Sequence, residues 1–169
     1  MKISIIYYSE TGNTEQVANW IAEGSRSVPE AEVKLFNLRD QDHPDKVYIE
    51  SSDAVIFGTP TYVANMCWQM KKWFDTCLDY QLGGKIGSAF STEGSPHGGG
   101  GELAIMTLIN HMLVKGMLIY SGGSACGRPF IHIGPTVVAS QMAEREEICK
   151  LFGKRIAEQT RRLFGEKGA

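Results

Sequence analysis

Apolar residues in this chain fall into short runs separated by longer amphipathic stretches, and that alternation sets the fold class. Residues 2–8 form a nearly continuous apolar run, the pattern of a central parallel strand covered on both faces. Residues 14–27 then place Val17, Ala18, Ile21 and Ala22 on one helical stripe, with Glu15 in the first turn. In 32–38, Val33 and Leu35 alternate with Lys34, as in a half-exposed strand near a sheet edge. The polar stretch 39–52, broken by Pro44, has room only for a short helix over 45–50. Ala54-Val55-Ile56-Phe57 centres a buried strand over 53–59. A helix follows over 65–78, with Met66, Met70, Trp73, Phe74 and Cys77 on one face and Trp68 almost opposite, where a large aromatic calls for a partner or a cofactor beside it. Residues 85–91 read as a fourth strand. The helix over 102–114 takes Leu103, Met106, Ile109 and Leu113 as its core edge and stops at Gly116, and 117–120 is the fifth strand. The spacing predicts a long ordered loop over 121–139, around Gly127-Arg128-Pro129 and Gly134-Pro135, and a last helix over 140–164. That helix carries Glu144, Glu146 and Glu147 early and Arg155, Arg161 and Arg162 late, in step with the macrodipole.

Strands alternating with helices in this way predict an α/β fold: a doubly wound, five-stranded parallel sheet with helices on both faces, forming a single domain over 1–169. Such sheets bind ligands outside the carboxyl ends of their strands, where strand order reverses. Three polar or glycine-rich loops sit at those ends, at 9–14, 59–65 and 91–101. The first, Ser9-Glu10-Thr11-Gly12-Asn13-Thr14, has the make-up of a phosphate cradle. A strand feeds a tight turn, Gly12 permits φ > 0, hydroxyls and an amide supply donors, and a helix N-terminus follows. It lacks the lysine of a nucleoside-triphosphate loop and the three spaced glycines of a dinucleotide loop, so it suits one terminal phosphate held by neutral donors. The plainer alternative is a helix cap supplied by Asn13 or Thr14.

Composition narrows the partners. With 169 residues, 43% hydrophobic and 21% charged, the chain is an ordinary globular length and mix. A net charge of −2 gives no strong attraction to nucleic acid or to a membrane surface. Cys67, Cys77, Cys126 and Cys149 make no C-x-x-C pair and no zinc spacing, which predicts reduced thiols, no metal site and a cytoplasmic setting. No apolar run approaches the length of a signal or membrane segment.

The three loops together resemble those of flavodoxin-like FMN-binding proteins. Ser9-Glu10-Thr11-Gly12-Asn13-Thr14 is similar to the phosphate loop of flavodoxins. Gly58-Thr59-Pro60-Thr61-Tyr62-Val63-Ala64-Asn65-Met66, with Gln69-Met70 and Phe74-Asp75 behind it, is similar to the flavin-flanking segment of WrbA-type NAD(P)H:quinone oxidoreductases and related NADPH-dependent FMN reductases. Ser91-Thr92-Glu93-Gly94-Ser95-Pro96-His97-Gly98-Gly99 and Lys115-Gly116-Met117 resemble the same branch. The resemblance spans about residues 1–121 and implies a sheet of order 2-1-3-4-5. It also implies FMN with its phosphate on Ser9, Glu10, Thr11, Gly12, Asn13 and Thr14. Its ring would lie between Pro60, Thr61, Tyr62, Val63, Ala64 and Asn65 on one side and Ser91, Thr92, Glu93, Gly94, His97 and Gly98 on the other. NAD(P)H is the implied cosubstrate and a quinone-like small molecule the acceptor, with His97 the candidate acid or base and a homo-oligomer the expected assembly. Two departures stand out. Lys115 occupies a position where the resembled family carries histidine, with His111 one turn earlier, and the 79–85 segment is short, offering only Tyr80 as an aromatic wall. A one-electron carrier serving protein redox partners is the second reading, and a redox-inactive FMN-binding module the third.

Overall fold

The first apolar run becomes β1 (Lys2–Tyr7) in the middle of a parallel sheet, in a computed structural model that describes residues 1–165. The last four residues of the expected 1–169 domain lie outside the described residues. After β1 come α1 (Asn13–Arg26), β2 (Glu32–Asn37), α2 (Lys46–Ser51), β3 (Ala54–Tyr62), the short β4 (Asn65–Met66), α3 (Trp68–Thr76), β5 (Ile86–Glu93), α4 (Gly101–Val114), β6 (Leu118–Ile119), β7 (Thr136–Val138) and α5 (Glu146–Phe164). The sheet runs β2-β1-β3-β5-β6. With β4 set aside as a hairpin partner of β3, this is the flavodoxin-like order expected. The order reverses beside β1, so the ends of β1 and β3 flank a natural crevice.

Successive strand residues point to opposite faces and feed two cores. Ile6, Val55, Phe57 and Ala89 pack against α2, α3 and α4 through Ile49, Met70, Trp73, Phe74, Ile105, Leu108 and Met112. Ile3, Ile5, Ile56 and Phe90 pack against α1 and α5 through Val17, Ile21, Phe152 and Ile156. The inward stripe expected for α3 is buried as read, and Trp68 is exposed. The two helices of the second face nearly touch. A Cβ on Gly24 would sit 1.8 Å from the Lys150 carbonyl oxygen, and one on Gly153 would sit 2.0 Å from that of Ile21. Ser25 Oγ spans the crossing by donating to the Ile21 and Gly153 carbonyls.

Four features differ from the expectation. β3 continues past Thr59 to Tyr62 and turns back through β4, pairing Thr61 with Met66 and Tyr62 with Asn65; the helix expected from residue 65 therefore starts at Trp68. α4 is rotated. Ala104, Ile105, Leu108 and Met112 are buried, while Leu103, Met106 and Leu113 are 59%, 42% and 57% exposed. Both stripes of this helix are apolar, so periodicity could not choose the phase. At the start of the helix Gly101 leaves no room for a side chain, since a Cβ there would meet Thr136, Glu93 and Ser91 within 3 Å. Residues 136–138 are strand rather than loop: β7 pairs with Ser91–Glu93 while β6 pairs with Ile86 and Gly87. One position in the sheet is thus filled by two short strands, and residues 120–135 make an excursion between them. Lastly, the helix expected over 140–164 opens as 3₁₀ turns over 139–144 before α5 begins.

Candidate functional site

The loop after β1 is held from below and left open above. Ser9 is buried, its N–H donating to Asn37 Oδ1 (3.1 Å) and its Oγ accepting from Glu15 N–H (3.2 Å). Gly12 takes φ 95° as it turns the chain into α1, and as the N-cap it has no side chain to offer; among the described residues the one first-turn N–H met by a side chain, that of Glu15, goes to Ser9. Capping by Asn13 or Thr14 is therefore not what the loop does. Thr14 Oγ1 instead lies 2.8 Å from Thr92 Oγ1, joining the first loop to the end of β5. The N–H groups of residues 10–14 meet no acceptor among the described residues, and they stand at the positive end of the α1 dipole.

The second loop is a two-residue hairpin turn. Val63 and Ala64 adopt φ 53° and 56°, the left-handed pair that makes a type I′ turn between Tyr62 and Asn65. For a β-branched residue this is strained backbone. Val63 is 99% exposed, and Ala64 is pressed against the third loop, where a Cβ on Gly100 would come within 2.5 Å of the Ala64 side chain. Glu93 fixes the third loop: its carboxylate accepts from Gly101 N–H at 2.7 Å, at the N-terminus of α4.

These three loops converge on one cavity of about 230 Å³, lined by Glu10, Thr11, Asn13, Thr14, Pro60, Thr61, Tyr62, Thr92, Glu93, Gly94 and Ala139. Thr61 Oγ1 is buried there without a hydrogen-bond partner. Beyond Tyr62 the surface continues into a groove of about 790 Å³ between α3 and α4, walled by Asn65, Met66, Trp68, Thr107, Asn110 and His111. The His111 ring lies 4.8 Å from the Phe74 ring, with Nδ1 2.8 Å from the Thr107 carbonyl oxygen.

Of the other residues singled out from sequence, Ser9, Gly12 and Ser91 shape the cavity from behind. Ser91 Oγ donates to the Gly101 carbonyl (3.0 Å) and lies 3.1 Å from Thr136 Oγ1. Val63, Ala64, His97 and Gly98 lie outside the cavity lining, with His97 exposed on the glycine-rich loop. Lys115 is remote. It follows α4, whose fourteen residues span about 21 Å from the third loop, and its Nζ donates to the Cys77 carbonyl (2.9 Å), where burial lowers its pKa. Within one chain it plays no part at the cavity.

Sequence reasoning missed Ala139, hidden in a stretch read as loop, and the residues that brace the first loop. Arg39 Nη1 donates to the Glu10 carbonyl at 2.6 Å, Asn37 Oδ1 takes the N–H groups of both Ser9 and Arg39, and the Tyr8 hydroxyl donates to the Glu10 carboxylate. That last bond pushes the Tyr8 phenol up to about 12. The signal was available, since an order of 2-1-3 sets the end of β2 beside the end of β1. Among the described residues no three His, Cys, Asp or Glu side chains gather as a metal site, and no helix is long and apolar enough to cross a membrane.

A family model described as NADPH-dependent FMN reductase matches residues 1–126, the part of the chain that carries all three loops except Ala139. The chain belongs to that family. It shares 46% identity over 164 residues with a flavodoxin of Clostridium saccharobutylicum, covering 97% of this chain and 100% of that one. It is also 32% identical over 201 residues to an NAD(P)H dehydrogenase (quinone) of Aromatoleum aromaticum, covering 94% of this chain and 95% of that one. Among solved structures, a flavodoxin from the domain Archaea superposes with a TM-score of 0.75 at 25% identity, covering 95% and 99% of the two chains. This FMN reductase family member therefore has relatives named flavodoxin and NAD(P)H dehydrogenase (quinone), within one flavodoxin-like superfamily.

Proposed function

We propose that the protein is an FMN-binding oxidoreductase that passes electrons from NAD(P)H to a quinone or a similarly flat small acceptor. The residues fit the cofactor. The unpaired N–H groups of 10–14, with the Thr11 and Asn13 side chains, would hold the phosphate, and Thr61, which lines the cavity, carries a buried hydroxyl with no hydrogen-bond partner. Thr61 and Tyr62 on one side and Thr92 to Gly94 on the other would flank the ring. FMN, when bound, supplies the redox chemistry; the chain's part is to orient it and to exclude water. His97, exposed on its loop, stays the candidate proton donor if one is used.

The observation that favours a reductase is the groove beyond Tyr62. Its volume falls in the ordinary range for a small-molecule site, about 300–1,000 Å³, and it adjoins the cavity, so a second flat molecule has a place beside the first. A carrier needs only an exposed cofactor edge and a docking face. That second reading draws on the 46% identity to a flavodoxin and on the apolar rim of Tyr62, Val63 and Trp68. The reductase reading includes a homo-oligomer, with a second copy of the chain against the outer apolar face of α4.

Anaerobic absorbance spectra of the purified, FMN-reconstituted protein separate the readings. Bleaching of the flavin by NADH or NADPH alone supports the reductase. Reduction only when a partner reductase is added supports the carrier. Bound flavin that neither reduces leaves the redox-inactive module, and failure to take up FMN removes all three. Thr11→Ala and Asn13→Ala are each expected to weaken FMN binding by about 1–3 kcal/mol, measured by quenching of flavin fluorescence; unchanged affinity in both would put the phosphate elsewhere.

A further inference from the structure

We propose that the cavity between the 120–135 excursion and α5 is a second ligand site, built for a phosphorylated small molecule of nucleotide size. The cavity measures about 560 Å³ and shares no lining residue with the flavin cavity. Four cationic side chains line it, Arg128 from the excursion and Lys154, Arg155 and Arg162 from α5, against one carboxylate, Glu158. Glu158 already lies 3.8 Å from Lys154. In a chain whose net charge is −2, this is a local excess of positive charge.

The macrodipole of α5 does not account for it. That effect is confined to the last turn of a helix, which covers Arg162 but not Lys154 or Arg155, and Arg128 is not on the helix at all. Arg155 is the clearest case. It is 6% exposed, and its guanidinium donates to the carbonyls of Pro129 (3.0 Å), Cys126 (3.0 Å) and Gly127 (3.1 Å). Carbonyls satisfy N–H groups but carry no net charge, so a buried cation is held at the cavity floor with no carboxylate bonded to it. The same three bonds fix the backbone on both sides of Arg128, whose guanidinium lies over the Phe130 ring, 5.6 Å from its centroid. Tyr120 adds a hydroxyl that burial keeps protonated, its phenol pushed up to about 12, and therefore able to donate.

Planar guanidinium groups bind phosphate oxygens in pairs, and Arg128 and Arg162, which both line the cavity, offer two such groups to a phosphorylated ligand. The volume admits a base and a sugar beside it. A nucleic-acid strand would call for a longer basic track than these four side chains offer.

Cys126 makes the site testable, because it lines the cavity and is exposed while Cys67, Cys77 and Cys149 are buried. The experiment uses the FMN-saturated protein, so that the flavin cavity is closed to nucleotide, at low ionic strength. The rate of Cys126 alkylation and calorimetric titration are read with ADP, with inorganic phosphate and with a short oligonucleotide. Saturable protection of Cys126 by ADP is expected, with Arg128→Ala and Arg162→Ala each raising the apparent Kd about tenfold or more while leaving flavin absorbance unchanged. Alkylation indifferent to millimolar ADP, protection that survives both substitutions, or tighter binding of the oligonucleotide would each overturn the proposal. Phosphate binding as tightly as ADP would overturn the nucleotide-sized ligand.

Discussion

Val63 holds a β-branched side chain at φ 53°, with Ala64 beside it at 56°, in a turn where asparagine and glycine are at ease. Since the Val63 side chain is 99% exposed, no packing compensates for the strain. The pair Val63→Asn with Ala64→Gly is expected to raise unfolding stability by about 1 kcal/mol, seen as a higher urea midpoint at unchanged m; a lower midpoint would mean that the turn is held by contacts of these two side chains. Thr61 allows a complementary experiment. Its buried hydroxyl is unpaired in the free protein, so Thr61→Val should leave apo stability unchanged or raised and weaken FMN by about 1–3 kcal/mol. Equal FMN affinity would remove Thr61 from the site. At this scale the motif Ser9 to Thr14 was readable, because its donors are consecutive in the chain. Asn37, Arg39 and Ala139 were not, because they reach the loop only through strand pairing and the return of β7.

α4 shows why elements are harder to orient than to find. It was expected over 102–114 and runs from Gly101 to Val114, yet two apolar stripes compete on it and the buried one contains the smaller residue Ala104, which lets the helix lie close to the sheet. The outer stripe of Leu103, Met106 and Leu113 is exposed, and Trp68 of α3 is exposed on the groove between α3 and α4. Leu103→Lys with Leu113→Lys is expected to convert an oligomer to monomer in light scattering without loss of the folded circular dichroism. If the unsubstituted protein is already a monomer, the expected assembly does not form there. On the other face the contact between α1 and α5 was not legible at all, since a helical glycine carries no hydrophobic signal. Gly153→Ala would drive a methyl group into the Ile21 carbonyl, with an expected cost of about 1–3 kcal/mol or more, read from chemical denaturation; a neutral result would mean that the helices slide apart freely.

Over the whole molecule, several phenols are held protonated. Burial raises those of Tyr7, Tyr48, Tyr80 and Tyr120 above the ordinary 10.0, Tyr80 and Tyr120 to about 12, and the Glu10 hydrogen bond does the same for Tyr8. The unfolded chain releases these protons first, so their contribution to stability is complete below pH 10 and is lost as pH rises toward about 12. The urea midpoint should therefore fall across that interval, with phenolate absorbance appearing together with unfolding. Phenolate from more than the exposed Tyr62 forming near pH 10 in a protein still folded would contradict the burial. The two-faced core was legible because periodicity bears on it, and the strand order followed from the family resemblance. The divided fifth position of the sheet was not, because β6 and β7 are too short to leave a periodic trace. That division bears on solubility. An uninterrupted outer strand offers neighbouring molecules a continuous row of backbone donors and acceptors on which to stack. Here that row breaks after Ile119 and resumes only at Thr136, and on the opposite border the exposed Glu32 and Lys34 put charge on β2, so the molecule offers little template for edge-to-edge aggregation.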